Sequence, residues 1–301
     1  MLKTVDFERV GTASHGVGES PLWHTAHRAW YWVDILGKSI WRLDANNGDI
    51  QSWQTDEMIG CIAPRENGGF IAAMETGIFE LVLDDRLHAS THLLASPAEL
   101  AGKTNTGMRF NDGRCDRQGR FWSGTMVMDM AAARPEGKLY RYSSAQGISS
   151  PMVAQLLVQN GLAWSADGRT MYLSDSHPQS QLIWAFDYDT QAGTPTNQRV
   201  FVDMHQHEGR PDGAAIDVDG CYWTCGNDAG RLLRFTPQGK LDQVIALPMK
   251  KPAMCSFGGD NLDVLMVTSI GAGKAAQDAW AGATILLRPG VQGLLDTPFS
   301  D

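Results

Sequence analysis

The sequence predicts an all-β fold, a six-bladed β-propeller of four-stranded antiparallel blades whose ring is closed by the N-terminal strand, with residues 1–301 forming a single domain. Three observations predict it. A polar turn followed by an apolar or aromatic strand recurs six times, and a second alternating strand follows each copy. No long helical periodicity competes. The repeat period, roughly 40–50 residues, is that of a propeller blade.

Residues 4–10 read as a lone strand ahead of the first repeat, expected to complete the last blade and hide its edge. The first repeat turns at Thr25-Ala26-His27-Arg28 into Trp30-Tyr31-Trp32-Val33, and the second at Glu66-Asn67-Gly68-Gly69 into Phe70-Ile71. The third turns at Asp116-Arg117-Gln118-Gly119 into Phe121-Trp122, and the fourth at Asp167-Gly168 into Met171-Tyr172-Leu173. Asp219-Gly220 leads into Tyr222-Trp223, and Asp260-Asn261 into Val264-Leu265-Met266. The second strands are residues 40–44, 78–81, 139–142, 183–187, 232–235 and 285–288. The best helical candidate is the short Pro97-Ala98-Glu99-Leu100-Ala101 segment, one or two turns long.

Bulk properties narrow the function. Hydrophobic content of 43% suffices for a large core, and 32 glycines with 10 tryptophans fit many turns and aromatic strands. A net charge of −9 without a basic run argues against nucleic acid and anionic membranes as partners. No apolar stretch is long enough to span a bilayer, and the first residues lack a signal-peptide core. Five scattered cysteines do not form a disulfide framework, so a reducing, cytoplasmic setting is expected.

A position upstream of each turn carries the chemistry. Asn111, Asn160 and Asp212 each stand eight residues before a turn glycine (Gly119, Gly168, Gly220), and the same offset from His27 reaches Glu19. In the second and sixth repeats it reaches Gly60 and Pro252. Each position opens the innermost strand of its blade, so the four polar side chains are expected to converge on one mouth of the central channel. Turn propensity alone explains Asn, Asp and Gly singly; it does not explain Glu19. Two carboxylates and an amide oxygen suit a hard cation such as Ca²⁺, Mg²⁺ or Mn²⁺. An open zinc or iron site with oxygen ligands remains possible on these residues, whereas a closed structural zinc site needs Cys or His.

The chain resembles the regucalcin/gluconolactonase family of six-bladed propellers. The resemblance rests on Gly18-Glu19-Ser20-Pro21, Arg109-Phe110-Asn111-Asp112-Gly113 with Gly124-Thr125-Met126, Asn160-Gly161-Leu162 and Pro211-Asp212-Gly213. It implies hydrolysis of a sugar lactone with one divalent cation (Ca, Mg, Mn, Zn or Fe). By resemblance Glu19, Asn160 and Asp212 bind the metal, Asp212 also assists water attack, and Arg109 and Asn111 contact substrate. Some relatives carry Glu after the Gly-Thr-Met element; this chain has Asp129, shorter by a methylene. Arg109 has a structural alternative as an ion-pair partner of Asp112.

Other candidates are His205 and His207, read first as loop residues, and His15 and His177, within reach of the mouth. The sequence has no Gly-rich phosphate loop and no Gly-x-Ser-x-Gly elbow, which disfavours a serine esterase. Residues 127–137 and 270–282 are the longest loops on the channel-mouth side. Alternatives to a sugar lactonase are a metal-dependent esterase or phosphotriesterase and a non-catalytic calcium-binding scaffold.

Overall fold

The structure is a computed structural model that describes residues 2–85, 87–102, 107–273 and 278–301. It is a six-bladed β-propeller. The innermost strands are Gly18–His24, Ile59–Pro64, Met108–Cys115, Gln159–Trp164, Arg210–Ile216 and Pro252–Gly258, one per blade. Each packs against the inner strands of the blades before and after it, which closes the ring. Inner strands have a neighbouring blade on both faces and are buried throughout, apart from a few half-buried residues near their ends. Outer strands such as Thr194–Asp203 are largely exposed.

Two of the turns at the lower face, those of the third and fifth blades, are each anchored by a buried acid. Asp116 accepts the backbone N–H groups of Gln118 and Arg120 through Oδ1 (2.9 and 3.0 Å), and its Oδ2 accepts from Trp122 Nε1 at 3.2 Å. Asp217 does the same for Asp219, Cys221 and Trp223. The acid thus ties the turn to the tryptophan at the second position of the next strand. Pro97 to Ala101 forms one hydrogen-bonded turn and no helix; among the described residues the helical turns are two short 3₁₀ segments, Met130–Ala132 and Met204–Gln206.

The strand expected over residues 4–10 is present as Phe7–Arg9, and a second short strand precedes it. Leu2–Lys3 pairs in parallel with Leu241–Ala246 at the outer edge of the fifth blade. Phe7–Arg9 then pairs antiparallel with Ile285–Leu287 and completes the sixth. At the other end, residues 291–301 run beneath the ring. Gly293 bridges Asp217 of the fifth blade, Asp296 meets Arg114 and Ser256, and Phe299 bridges Arg65 of the second. A small cavity bounded by inner strands of four blades is floored by Asp296 and Thr297, so this strap lies under the channel. No helix among the described residues is long and apolar enough to cross a membrane.

Candidate active site

All six inner strands bulge near their upper ends, and the candidate residues sit at the bulges. Pairing with the second strand stops at Glu19, Phe110, Asn160 and Pro211 and resumes three residues later, where the partner strand has advanced by two. The extra residue bends the strand and re-aims its side chains. Glu19 and Asn160 are therefore the last paired residues, whereas Asn111 and Asp212 are the first unpaired ones. The position counted from the turn glycines is equivalent only to within one residue.

Backbone demands explain the glycines. Gly161 has φ +60°, and a Cβ on it would collide with Ser174 Oγ and Tyr222 OH. Gly60, the second blade's occupant of the ring position, lies against the backbone of Asn111, leaving no room for a side chain there.

Glu19, Asn111, Asn160 and Asp212 are all buried. Asp212 Oδ2 accepts from Asn227 Nδ2 at 2.7 Å. Asn160 donates Nδ2 to Ser176 Oγ at 2.8 Å, leaving its carbonyl oxygen buried without a partner. Glu19 Oε2 is also buried and unpartnered. Arg109 is half-buried and donates to Asn111 Oδ1 at 2.7 Å and to the Phe110 carbonyl at 2.8 Å, while Asn111 donates to the Gln159 carbonyl at 2.7 Å. Asp112 does not take Arg109 as its hydrogen-bond partner. Its Oδ2 accepts the Leu162 N–H of the next blade at 3.0 Å.

The electrostatics are those of acids held together out of water. Burial pushes the Glu19 carboxyl well above the usual carboxylate range, and Asp212 and Asp112 add to the rise. Burial also raises Asp212 to about 7, against the opposing pull of Arg210 and Asn227. Such a group needs a proton or a cation to be stable. Two unsatisfied oxygens on separate blades, with a carboxylate in the same electrostatic cluster, fit a hard cation. Among the described residues no three His, Cys, Asp or Glu side chains are grouped to hold a metal. A cation here would need a mixed carboxylate–amide donor set.

Asp129 stands apart from this buried set. It is exposed at the start of the Met130–Ala132 turn, with no capping hydrogen bond. His177 is buried and bonds the Met130 carbonyl through Nε2 at 2.9 Å, pinning the turn that carries Asp129. His15 is buried too, and accepts from Trp32 Nε1 at 3.0 Å. His205 bonds Asp203, and His207 packs edge-on to Phe235. Part of the 270–282 loop falls outside the described residues.

Sequence reading missed Ser176, Arg210 and Asn227. A signal existed: the second strand of several blades ends on a polar residue, among them Asp34, Asp175, Asn227 and Ser269. Two of these, Asp34 and Asp175, tie down the backbone entering the inner strand.

The model of the SMP-30/Gluconolactonase/LRE-like region matches residues 17–271. The chain belongs to this family. Within the SMP-30/gluconolactonase family it is 36% identical over 288 residues to 6-deoxy-6-sulfogluconolactonase of Pseudomonas putida, covering 94% of this chain and 95% of that one. It is 35% identical over 277 residues to regucalcin of Danio rerio, covering 92% and 90%. Among solved structures, a luciferin-regenerating enzyme superposes with TM-score 0.90 at 26% identity, covering 99% of this chain and all of the other.

Proposed function

We propose that the protein is a sugar lactonase, a carboxylic ester hydrolase that opens an aldonolactone to the aldonic acid. The observation that carries the reading is a pair of buried, unpartnered oxygens on two blades, Glu19 Oε2 and Asn160 Oδ1, together with the raised carboxyl of Asp212 and the Arg109–Asn111 pair. Family membership and a lactonase relative alike over nearly its whole length support it.

Glu19, Asn160 and Asp212 would hold one divalent cation, which supplies Lewis-acid polarisation of a carbonyl when bound. Asp212 takes a proton from the water that attacks the lactone carbonyl carbon. It returns that proton to the ring oxygen as the carbon–oxygen bond breaks. Burial draws the Arg109 guanidinium down to about 10, which leaves it cationic at neutral pH. Arg109 and Asn111, locked to each other, orient the ring by its oxygens. Asp129, on the exposed turn above the mouth, receives outer hydroxyls. A sugar lactone is the substrate, and a cytoplasmic location fits five scattered cysteines that are all unpaired.

A panel of aldonolactones followed with a pH indicator tests this. Turnover should appear on a subset, vanish with chelator and return with a divalent cation. No turnover on any lactone in metal-replete buffer would overturn it.

A further inference from the structure

Arg210 directly precedes Pro211-Asp212, and its guanidinium is engaged at every nitrogen. Nε meets Asp228 Oδ2 at 2.7 Å, Nη1 donates to the Ser176 carbonyl at 2.6 Å, and Nη2 donates to Asn227 Oδ1 at 3.3 Å. Those partners lead into the site from two directions. Asn227 Nδ2 donates to Asp212 Oδ2, and Ser176 Oγ accepts from Asn160 Nδ2. One side chain on the rim thus supports candidate ligands from the fourth and fifth blades.

A guanidinium only donates, so the face of Asn227 turned to Arg210 must be its carbonyl. The amide NH₂ is thereby forced toward Asp212, fixing which carboxylate oxygen is occupied. On the other branch, the Arg210 bond holds the Ser176 backbone, and the Ser176 hydroxyl engages the Asn160 amide nitrogen. That turns the Asn160 carbonyl oxygen into the site, where it is buried and unpartnered. Asp228 has φ +71°, an uncommon conformation for a non-glycine residue, and its carboxylate sits on Arg210.

We propose that Arg210 and Asn227 are positioning residues, a relay that sets the orientation of Asp212 and, through Ser176, of Asn160. The inference rests on the reading of Asp212 and Asn160 as site ligands and goes beyond it in assigning what aims them. Groups of this kind contribute on the order of 10–100-fold to metal affinity or activity.

The experiment compares wild type, Asn227→Leu, Asn227→Asp, Arg210→Met and Arg210→Lys by three readouts. These are Mn²⁺ binding by electron paramagnetic resonance, steady-state kinetics on the best lactone, and thermal melting in chelator. Asn227→Leu should weaken Mn²⁺ binding and lower kcat by about 10-fold or more, with KM within about 3-fold. Arg210→Met should move both the same way, and Arg210→Lys should recover part of the loss. Wild-type Mn²⁺ affinity and kcat in a folded Asn227→Leu protein would overturn the relay. If that variant does not fold, Asn227→Asp decides, because it is isosteric and keeps an acceptor for Arg210 while removing the donor to Asp212. It should melt like wild type and lose turnover; retained turnover overturns the proposal. Mn²⁺ binding by a wild type that hydrolyses no lactone would count against the lactonase reading and leave the relay to be judged on binding alone.

Discussion

Asn111 of the third blade gives its amide N–H to the carbonyl of Gln159, the residue beside Asn160 of the fourth, at 2.7 Å. The candidate substrate contact and the candidate cation ligand therefore share one backbone junction between blades. Displacing either strand disturbs both roles, so their separate contributions are best resolved by side-chain changes that leave that junction in place.

Asp212→Asn is the sharpest of these. The amide keeps the volume but cannot take a proton or offer a charged ligand. Turnover should fall at least about 1,000-fold, the scale at which loss of a triad member is felt. Mn²⁺ binding should weaken with it. Thermal stability in chelator at pH 8 should hold or rise, because a poorly compensated buried charge is removed. Near-wild-type lactone turnover in metal-replete buffer would sink the assignment.

Arg109→Ala should separate substrate contact from cation binding. Its guanidinium bonds Asn111 Oδ1 and the Phe110 carbonyl, and Asn227 and Ser176 are outside that pair. The expected outcome is a fall in kcat/KM of roughly 10–100-fold, the cost of losing one or two hydrogen bonds to a charged group. Mn²⁺ affinity should stay within a few-fold of wild type. Lost Mn²⁺ binding with unchanged kcat/KM would reverse the roles.

Stability should depend on pH in a direction opposite to that of salt-bridged acids. Burial raises Glu19 and lifts Asp212 to about 7 in the folded chain, against about 4 for a carboxylate in the unfolded one. Between those values the folded state holds more protons, so these groups favour folding below about pH 4 and lose that contribution as pH climbs through 7. Metal-free protein should melt several degrees lower at pH 8 than at pH 6. Added Ca²⁺ or Mn²⁺ should raise the melting temperature more at pH 8. Equal cation effects at both values would contradict the scheme.

Removing residues 2–10 should uncover the outer edge of Ile285–Leu287, which Phe7–Arg9 covers by three antiparallel pairs. An exposed edge invites pairing between molecules. The truncated protein should melt lower and aggregate faster on heating, read by light scattering, and unchanged melting would show that the closure is dispensable.

Much of this architecture was readable because it repeats. The aromatic strands and the acid-anchored turns at Asp116 and Asp217 are local features, each satisfied within a few residues of chain, so periodicity exposes them. The same counting brought Glu19, Asn111, Asn160 and Asp212 to one ring. It missed by a residue where pairing stops, because bulges shift register without leaving a mark in the spacing. It also passed over Ser176, Arg210 and Asn227. Their roles depend on contacts between neighbouring blades, and an isolated Ser, Arg or Asn at a strand end looks like any loop residue. The pairing of Leu2–Lys3 with the fifth blade was hidden for a similar reason, since a two-residue strand carries no pattern that names the edge it joins.

The strap of residues 291–301 beneath the ring gives the channel a floor. Traffic is then confined to a single doorway, and whatever leaves must do so before the next molecule enters. In the lactonase reading, substrate and product would then pass the same rim, beside Arg109 and the exposed Asp129.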